Sequence, residues 1–188
     1  MNEARTNPEF LKFLEEQEVK AKEEKNIGEL YQVLDTLLVL NLDENRIHSV
    51  YQEILKIAFD QVEDRLANGK KLSLDDNDIY FVRSFYEHAI EKWSVENFKG
   101  AKELFFVLTQ IIEDETLQEA MSVHMVATAK EIDIDTFYQD AVVDSDNLED
   151  ERYGYFIIDF NYNKEEYLNE NSDLIKELYN ELKHLIDG

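Results

Sequence analysis

The chain has no cysteine, one proline and five glycines among 188 residues. Without cysteine there is no disulfide, no thiol nucleophile and no thiolate zinc site. So little glycine and proline leaves few tight turns, which argues against a sandwich or barrel. No apolar run approaches the ~20 residues that a membrane-spanning helix needs. Basic residues are also scarce: 19 Lys and Arg stand against 43 Asp and Glu, for a formal net charge of −24. A surface of that sign repels nucleic acid and anionic membranes and attracts basic partners. The first residues, Met1 to Arg5, are polar and carry no apolar core, so they read as no secretory signal and the expected compartment is the cytoplasm.

What is present is material for a core. Hydrophobic residues make up 44% of the chain and aromatics 12%, with 11 Phe and 10 Tyr, so the charge does not imply disorder. Apolar residues recur at helical spacing through the first 130 positions. Asn7 and Pro8 suit the N-cap and first position of a helix. Phe10, Leu11, Phe13 and Leu14 give that helix an apolar head, and its remainder to Lys25 is mostly charged. A second helix follows Gly28, with Leu30, Val33, Leu34, Leu37 and Leu38 on one face. Asp43 caps a third, whose stripe is Ile47, Val50, Tyr51, Ile54, Leu55, Ala58, Val62 and Leu66 before Gly69 stops it. Further helices are expected to about Trp93, over Phe98–Ile112 and over Glu115–Ala129.

The pattern then changes. Glu131 to Asp135 alternates polar and apolar, and Tyr153 to Phe160 is rich in aromatic and β-branched residues; both read as short strands. A helix from Ser172 closes the chain, with Leu174, Ile175, Leu178, Tyr179, Leu182, Leu185 and Ile186 as its stripe. The expected fold is therefore mainly α: a bundle of six or seven helices with a small two- or three-stranded β element near the C-terminus. One domain is expected over 1–188. Within it, residues 1–25 form a partly projecting helix, 131–162 a β-containing insertion, and 172–187 a helix packed on the bundle.

One segment resembles a known unit. Phe85 to Glu113 is similar to a single tetratricopeptide hairpin. Ala89 stands at the small position of the first helix and Phe98 at the aromatic opening the second. Ala101 and Phe105 reproduce an Ala-x-x-x-Phe pair, and Phe85 takes the place of the leading aromatic. The match departs at His88, at Lys92 (beside Trp93) and at Glu113, which replaces the closing proline, and no second copy lies 34 residues away. More loosely, this hairpin and the acidic, cysteine-poor, helical character resemble the chaperones and co-chaperones of type III and flagellar export. What the resemblance implies is a non-enzymatic, chaperone-like binding protein.

Candidate chemistry is sparse. The four histidines, His48, His88, His124 and His184, are far apart, and only Glu181 to His184 has the Glu-x-x-His spacing of a carboxylate metal bundle, which needs two. Asp144 to Glu149 resembles a calcium loop but carries Leu148 and Glu149 where a ligand and a glycine belong, and Tyr155 at the bidentate Glu position. No catalytic, cofactor or metal residue is assigned, and no cofactor is expected.

The expected role is an adaptor or chaperone that holds a partner helix in an apolar groove between its own helices. Phe85, Trp93, Phe98, Phe105 and Phe106 are the candidate partner-binding residues. The partner is a protein, basic or presenting an amphipathic helix, not nucleic acid or membrane; a homo-oligomer is left open. The alternative is an acidic inhibitor or immunity protein that imitates nucleic acid against a basic enzyme. A mimic needs a continuous acidic stripe, an adaptor an apolar groove.

Overall fold

A computed structural model describes residues 5–143 and 150–186. Nine α-helices run in order among these residues: α1 Pro8–Glu24, α2 Ile27–Val39, α3 Glu44–Ala67, α4 Asp78–Ser94, α5 Phe98–Ile111, α6 Glu115–Ala129, α7 Ile134–Ala141, α8 Lys164–Glu170 and α9 Ser172–Leu182. Short 3-10 turns occupy Glu151–Tyr153 and Lys183–Leu185. The chain divides into two compact units, residues 1–63 and 64–188, with the boundary inside α3.

Scarce glycine does not prevent tight turns, because two other devices make them. Asn or Asp side chains cap the starts: Asn7, Asn26, Asp43, Asn97, Asp114, Asp133 and Asn163 each accept a bond from a backbone N–H one turn into the following helix. Left-handed residues close the ends. Lys25, Asn41, Gly69, Glu96 and Glu131 have φ of 51°, 47°, 64°, 57° and 55°. After each, the next N–H reaches back to the carbonyl five residues earlier: Asn26 to Ala21, Leu42 to Leu37, Lys70 to Arg65, Asn97 to Lys92 and Ile132 to Ala127. This is the Schellman closure, in which glycine is usual. Here only one of the five is glycine.

In the first unit α1 packs on α2. Leu14 and Ala21 of α1 and Ile27, Leu30, Tyr31, Leu34 and Leu37 of α2 are buried. The sequence suggests an α1 charged on all sides beyond Leu14, but Ala21 is fully buried and Glu18 nearly so. Glu18 accepts hydrogen bonds from Lys22 Nζ at 2.7 Å and Arg46 Nε at 2.6 Å. Burial works to raise the Glu18 carboxyl, yet these two bonds and the charges behind them hold it below the usual carboxylate range. A charged residue thus enters the interior with two partners.

The second unit is built on α6. That helix is buried on most sides, through Leu117, Ala120, Met121, Val123, His124, Met125, Val126, Ala127 and Thr128. Helices α4 and α5 form a hairpin through the turn at Val95 to Asn97, and α5 packs on α6. Ala89, Ala101 and Phe105 are fully buried, so small residues let the hairpin close tightly. Helix α8 lies on α6, and α9 touches α5, α6 and α8.

The expected β element is not there: among the described residues no strand forms, and β pairing is limited to two isolated bridges, Leu72 with Ile112 and Val142 with Phe160. The alternation in Glu131 to Asp135 has another cause. Glu131 is the left-handed closure of α6, Ile132 bonds back to Ala127, and Asp133 caps α7 through Thr136 N at 2.9 Å. The apolar-polar pattern marks a turn and a cap, and α7 stands where a strand was expected. Tyr153 to Phe160 is a strap pinned by side chains. Tyr153 donates to Asp114 at 2.9 Å, the Ile157 N–H donates to Tyr86 Oη at 3.1 Å, and the Arg83 guanidinium lies 4.3 Å from the Tyr155 ring centre. Aromatic richness here serves packing, not a ladder. The expected six or seven helices also miss α7 and α8. The calcium-like segment 144–149 lies outside the described residues.

Candidate functional site

The five candidate aromatics do not line one surface. Phe85, Trp93, Phe105 and Phe106 are between 0% and 3% exposed, and Phe98 is half-buried. Trp93 donates its indole N–H to the Ile132 carbonyl at 2.8 Å, tying α4 to the turn before α7. Phe105 packs edge-on to Tyr86 and Trp93. Phe85, Trp93, Phe105 and Phe106 belong to the interior of the second unit, and Phe106 also borders a cleft.

At the centre of that interior is His124. Five rings surround it: Tyr86, Trp93, Phe105, Phe137 and Phe160, with centroids 5.0–5.9 Å away. Its Nδ1 lies 2.6 Å from the Ala120 carbonyl. A carbonyl only accepts, so Nδ1 carries the proton and Nε2 presents a bare lone pair. That Nε2 is buried with no hydrogen-bond partner. Burial pushes the imidazole down to about 4, against a small opposing contribution from the Ala120 bond. Burial likewise raises the Tyr86 phenol. His124 is a neutral core residue, enclosed by rings.

The open site lies elsewhere on α6. A cleft of about 380 Å³ is lined by Phe106, Thr109 and Gln110 of α5, by Glu115, Gln118, Glu119, Ser122 and Met125 of α6, and by Leu168, Ile175 and Tyr179 of α8 and α9. Its floor is apolar: Phe106 and Met125 are buried, and Tyr179, 47% exposed, meets Phe106 edge-on at 6.0 Å. Three of its uncharged polar side chains donate to backbone carbonyls. Gln118 Nε2 donates to the Ile112 carbonyl, Ser122 Oγ to the Gln118 carbonyl at 2.9 Å, and Thr109 Oγ1 to the Phe106 carbonyl at 2.7 Å. The only charged lining groups are the carboxylates of Glu115 and Glu119.

Sequence reasoning assigned none of the polar lining to a site. One signal was available. The stripe of the C-terminal helix has seven apolar positions, more than one packing face uses. Leu178 and Leu182 are buried against the bundle, and Ile175 and Tyr179 are the surplus that borders the cleft.

Other candidates are accounted for. Glu181 pairs with Lys102 at 3.0 Å and His184 Nδ1 lies 2.8 Å from the Glu181 carbonyl, so that Glu-x-x-His pair is engaged locally. Among the described residues no three of His, Cys, Asp and Glu gather as ligands for a metal. No described helix is long and apolar enough to cross a membrane. Compared with known proteins, the chain matches no family model, no curated protein and no solved structure.

Proposed function

We propose that this chain is a protein-binding adaptor of chaperone-like type, and that it takes a helix of its partner into the cleft between α5, α6, α8 and α9. One observation carries the proposal: a concave site with an apolar floor, in which Thr109, Gln118 and Ser122 already donate to backbone carbonyls. Binding in such a place gains from apolar burial and leaves few polar groups to be satisfied. The exposed Tyr179 offers a rigid aromatic contact at its edge. An open volume of about 380 Å³ accommodates the anchoring side chains of a helix rather than the whole helix.

The test is an amide spectrum of the full chain during titration with a designed amphipathic helix of about 18 residues. Shifts concentrated on Thr109, Ser122, Ile175 and Tyr179 support the proposal. Shifts spread over the acidic surface, vanishing when salt is raised from about 0.1 M to about 0.5 M, contradict it and favour the acidic inhibitor, whose contacts would be screened.

A further inference from the structure

Helix α6 is the most enclosed helix of the second unit, yet Glu115, Gln118, Glu119 and Ser122 stay open along one side, at spacings of three and four. Residues so spaced share a helix face, with Cβ atoms about 5–6 Å apart for an i, i+4 pair. The open face therefore carries two carboxylates one turn apart, and like charges in that relation repel. Glu115, in the first turn, gains from the helix dipole, whereas Glu119 lies beyond its reach. Nothing on α6 offsets the pair: the helix contains no Lys or Arg, and its one histidine is buried and neutral. No Lys, Arg or His lines the cleft. The lysines of α5 and α9 are engaged elsewhere, Lys99 with Glu103 at 3.8 Å, Lys102 with Glu181 at 3.0 Å and Lys176 with Asp173 at 3.3 Å. The whole unit, residues 64–188, has 29 Asp and Glu against 12 Lys and Arg, a net −17.

We infer that Glu115 and Glu119 act as a cation-reading pair, selecting a partner helix that presents an arginine or lysine beside the apolar face it lays in the cleft. This rests on the cleft being the docking site and adds the chemistry of the partner. A guanidinium between the two carboxylates relieves their mutual repulsion and gains two charge-assisted bonds. The apolar floor takes the neighbouring leucine-type side chains. Selection is then for the combination of charge and apolar face, since charge alone is attracted everywhere on so acidic a surface.

The experiment uses the full chain and two fluorescein-labelled peptides of about 18 residues. Both have one leucine face; one carries arginine on the flank of that face and the other glutamine at the same positions. Anisotropy at about 0.15 M salt gives Kd. The arginine peptide should bind about three- to tenfold tighter than the glutamine peptide, the size expected for two exposed pairs. Glu115→Gln with Glu119→Gln should abolish the difference in Kd between the two peptides, and Glu119→Gln alone should remove part of it. Glu15→Gln with Glu23→Gln, equal in charge but not part of the cleft lining, should keep it in full. Circular dichroism of each variant confirms the fold, and Glu119→Gln carries the test if the double variant is unstable. If the Glu115/Glu119 variant retains the preference, or the Glu15/Glu23 variant loses it equally, the inference is overturned while binding of the glutamine peptide still upholds the docking cleft. If neither peptide binds, the docking proposal itself falls.

Discussion

Acidification should weaken the fold through His124, by an amount the structure allows to be worked out. The imidazole is fully enclosed, and a proton taken up at Nε2 would find no acceptor for its hydrogen bond. Its folded value is about 4, against 6.5 for the free side chain. The folded state thus binds fewer protons than the unfolded state between these values, so stability is complete above about pH 6.5 and falls as pH drops towards 4. At ~1.4 kcal/mol per pH unit, the loss between pH 7.5 and pH 5.0 is about 2 kcal/mol. Among the described residues no charged group contributes to this shift, whose causes are burial and the Ala120 carbonyl. The groups around it are the rings of Tyr86 and Trp93 from α4, Phe105 from α5, Phe137 from α7 and Phe160 from the strap, with Tyr86 the only titratable one. Those rings offer the imidazolium some cation–π attraction, which makes the figure an upper one. The assay is urea unfolding followed by Trp93 fluorescence at both pH values, for wild type and His124→Phe. Acid also reduces the self-repulsion of the −24 surface, but equally in both proteins. The wild type should lose about 2 kcal/mol relative to the variant on going to pH 5.0. Parallel curves would show that His124 is not buried as described.

Further outcomes follow from the packing. Ala101 is fully buried where α5 meets its neighbours, so Ala101→Leu should cost ~1–3 kcal/mol in urea unfolding, and an unchanged midpoint would place it on the surface. Glu131 closes α6 at φ 55°, so Glu131→Gly should stabilise by up to ~1 kcal/mol in the same assay; destabilisation would refute the left-handed closure. Glu18→Ala strands Lys22 and Arg46 and should cost ~1–3 kcal/mol by thermal unfolding, with no effect if α1 projects freely into water. Tyr179→Ala removes an exposed edge of the cleft, and should weaken binding of the amphipathic peptide by ~1–2 kcal/mol while leaving the melting temperature nearly unchanged.

Helices with clean periodicity and a cap were legible in the sequence. Asn7-Pro8 opens α1, Gly69 follows α3, and α5 and α6 begin at Phe98 and Glu115 as expected. Helix α7 was hidden because a left-handed residue, an apolar residue and an Asp cap, Glu131-Ile132-Asp133, imitate strand alternation. The strap misled differently: Tyr153, Tyr155, Phe156 and Phe160 have strand-like composition because they engage Asp114, Arg83, Tyr86 and His124, partners distant in sequence. The aromatic content of the α4–α5 hairpin was visible, but not that Phe85, Trp93 and Phe105 turn inward. The cleft was least legible. It brings together residues from 106 to 179, and its carboxylates stand out only once α6 is seen to be buried on its other sides.

The most direct test of the central claim is where a native partner touches the chain. A photo-reactive residue is placed at position 179 on the cleft, and in a parallel protein at position 135 on exposed acidic α7. Each is irradiated in host extract and the crosslinked peptides are sequenced. The adaptor proposal predicts capture from position 179, with the crosslink mapping to a helical segment of the partner that carries apolar residues at spacings of three and four and a flanking arginine or lysine. Capture of a basic enzyme from position 135, with nothing from 179, would contradict it and establish the acidic surface as the binding site.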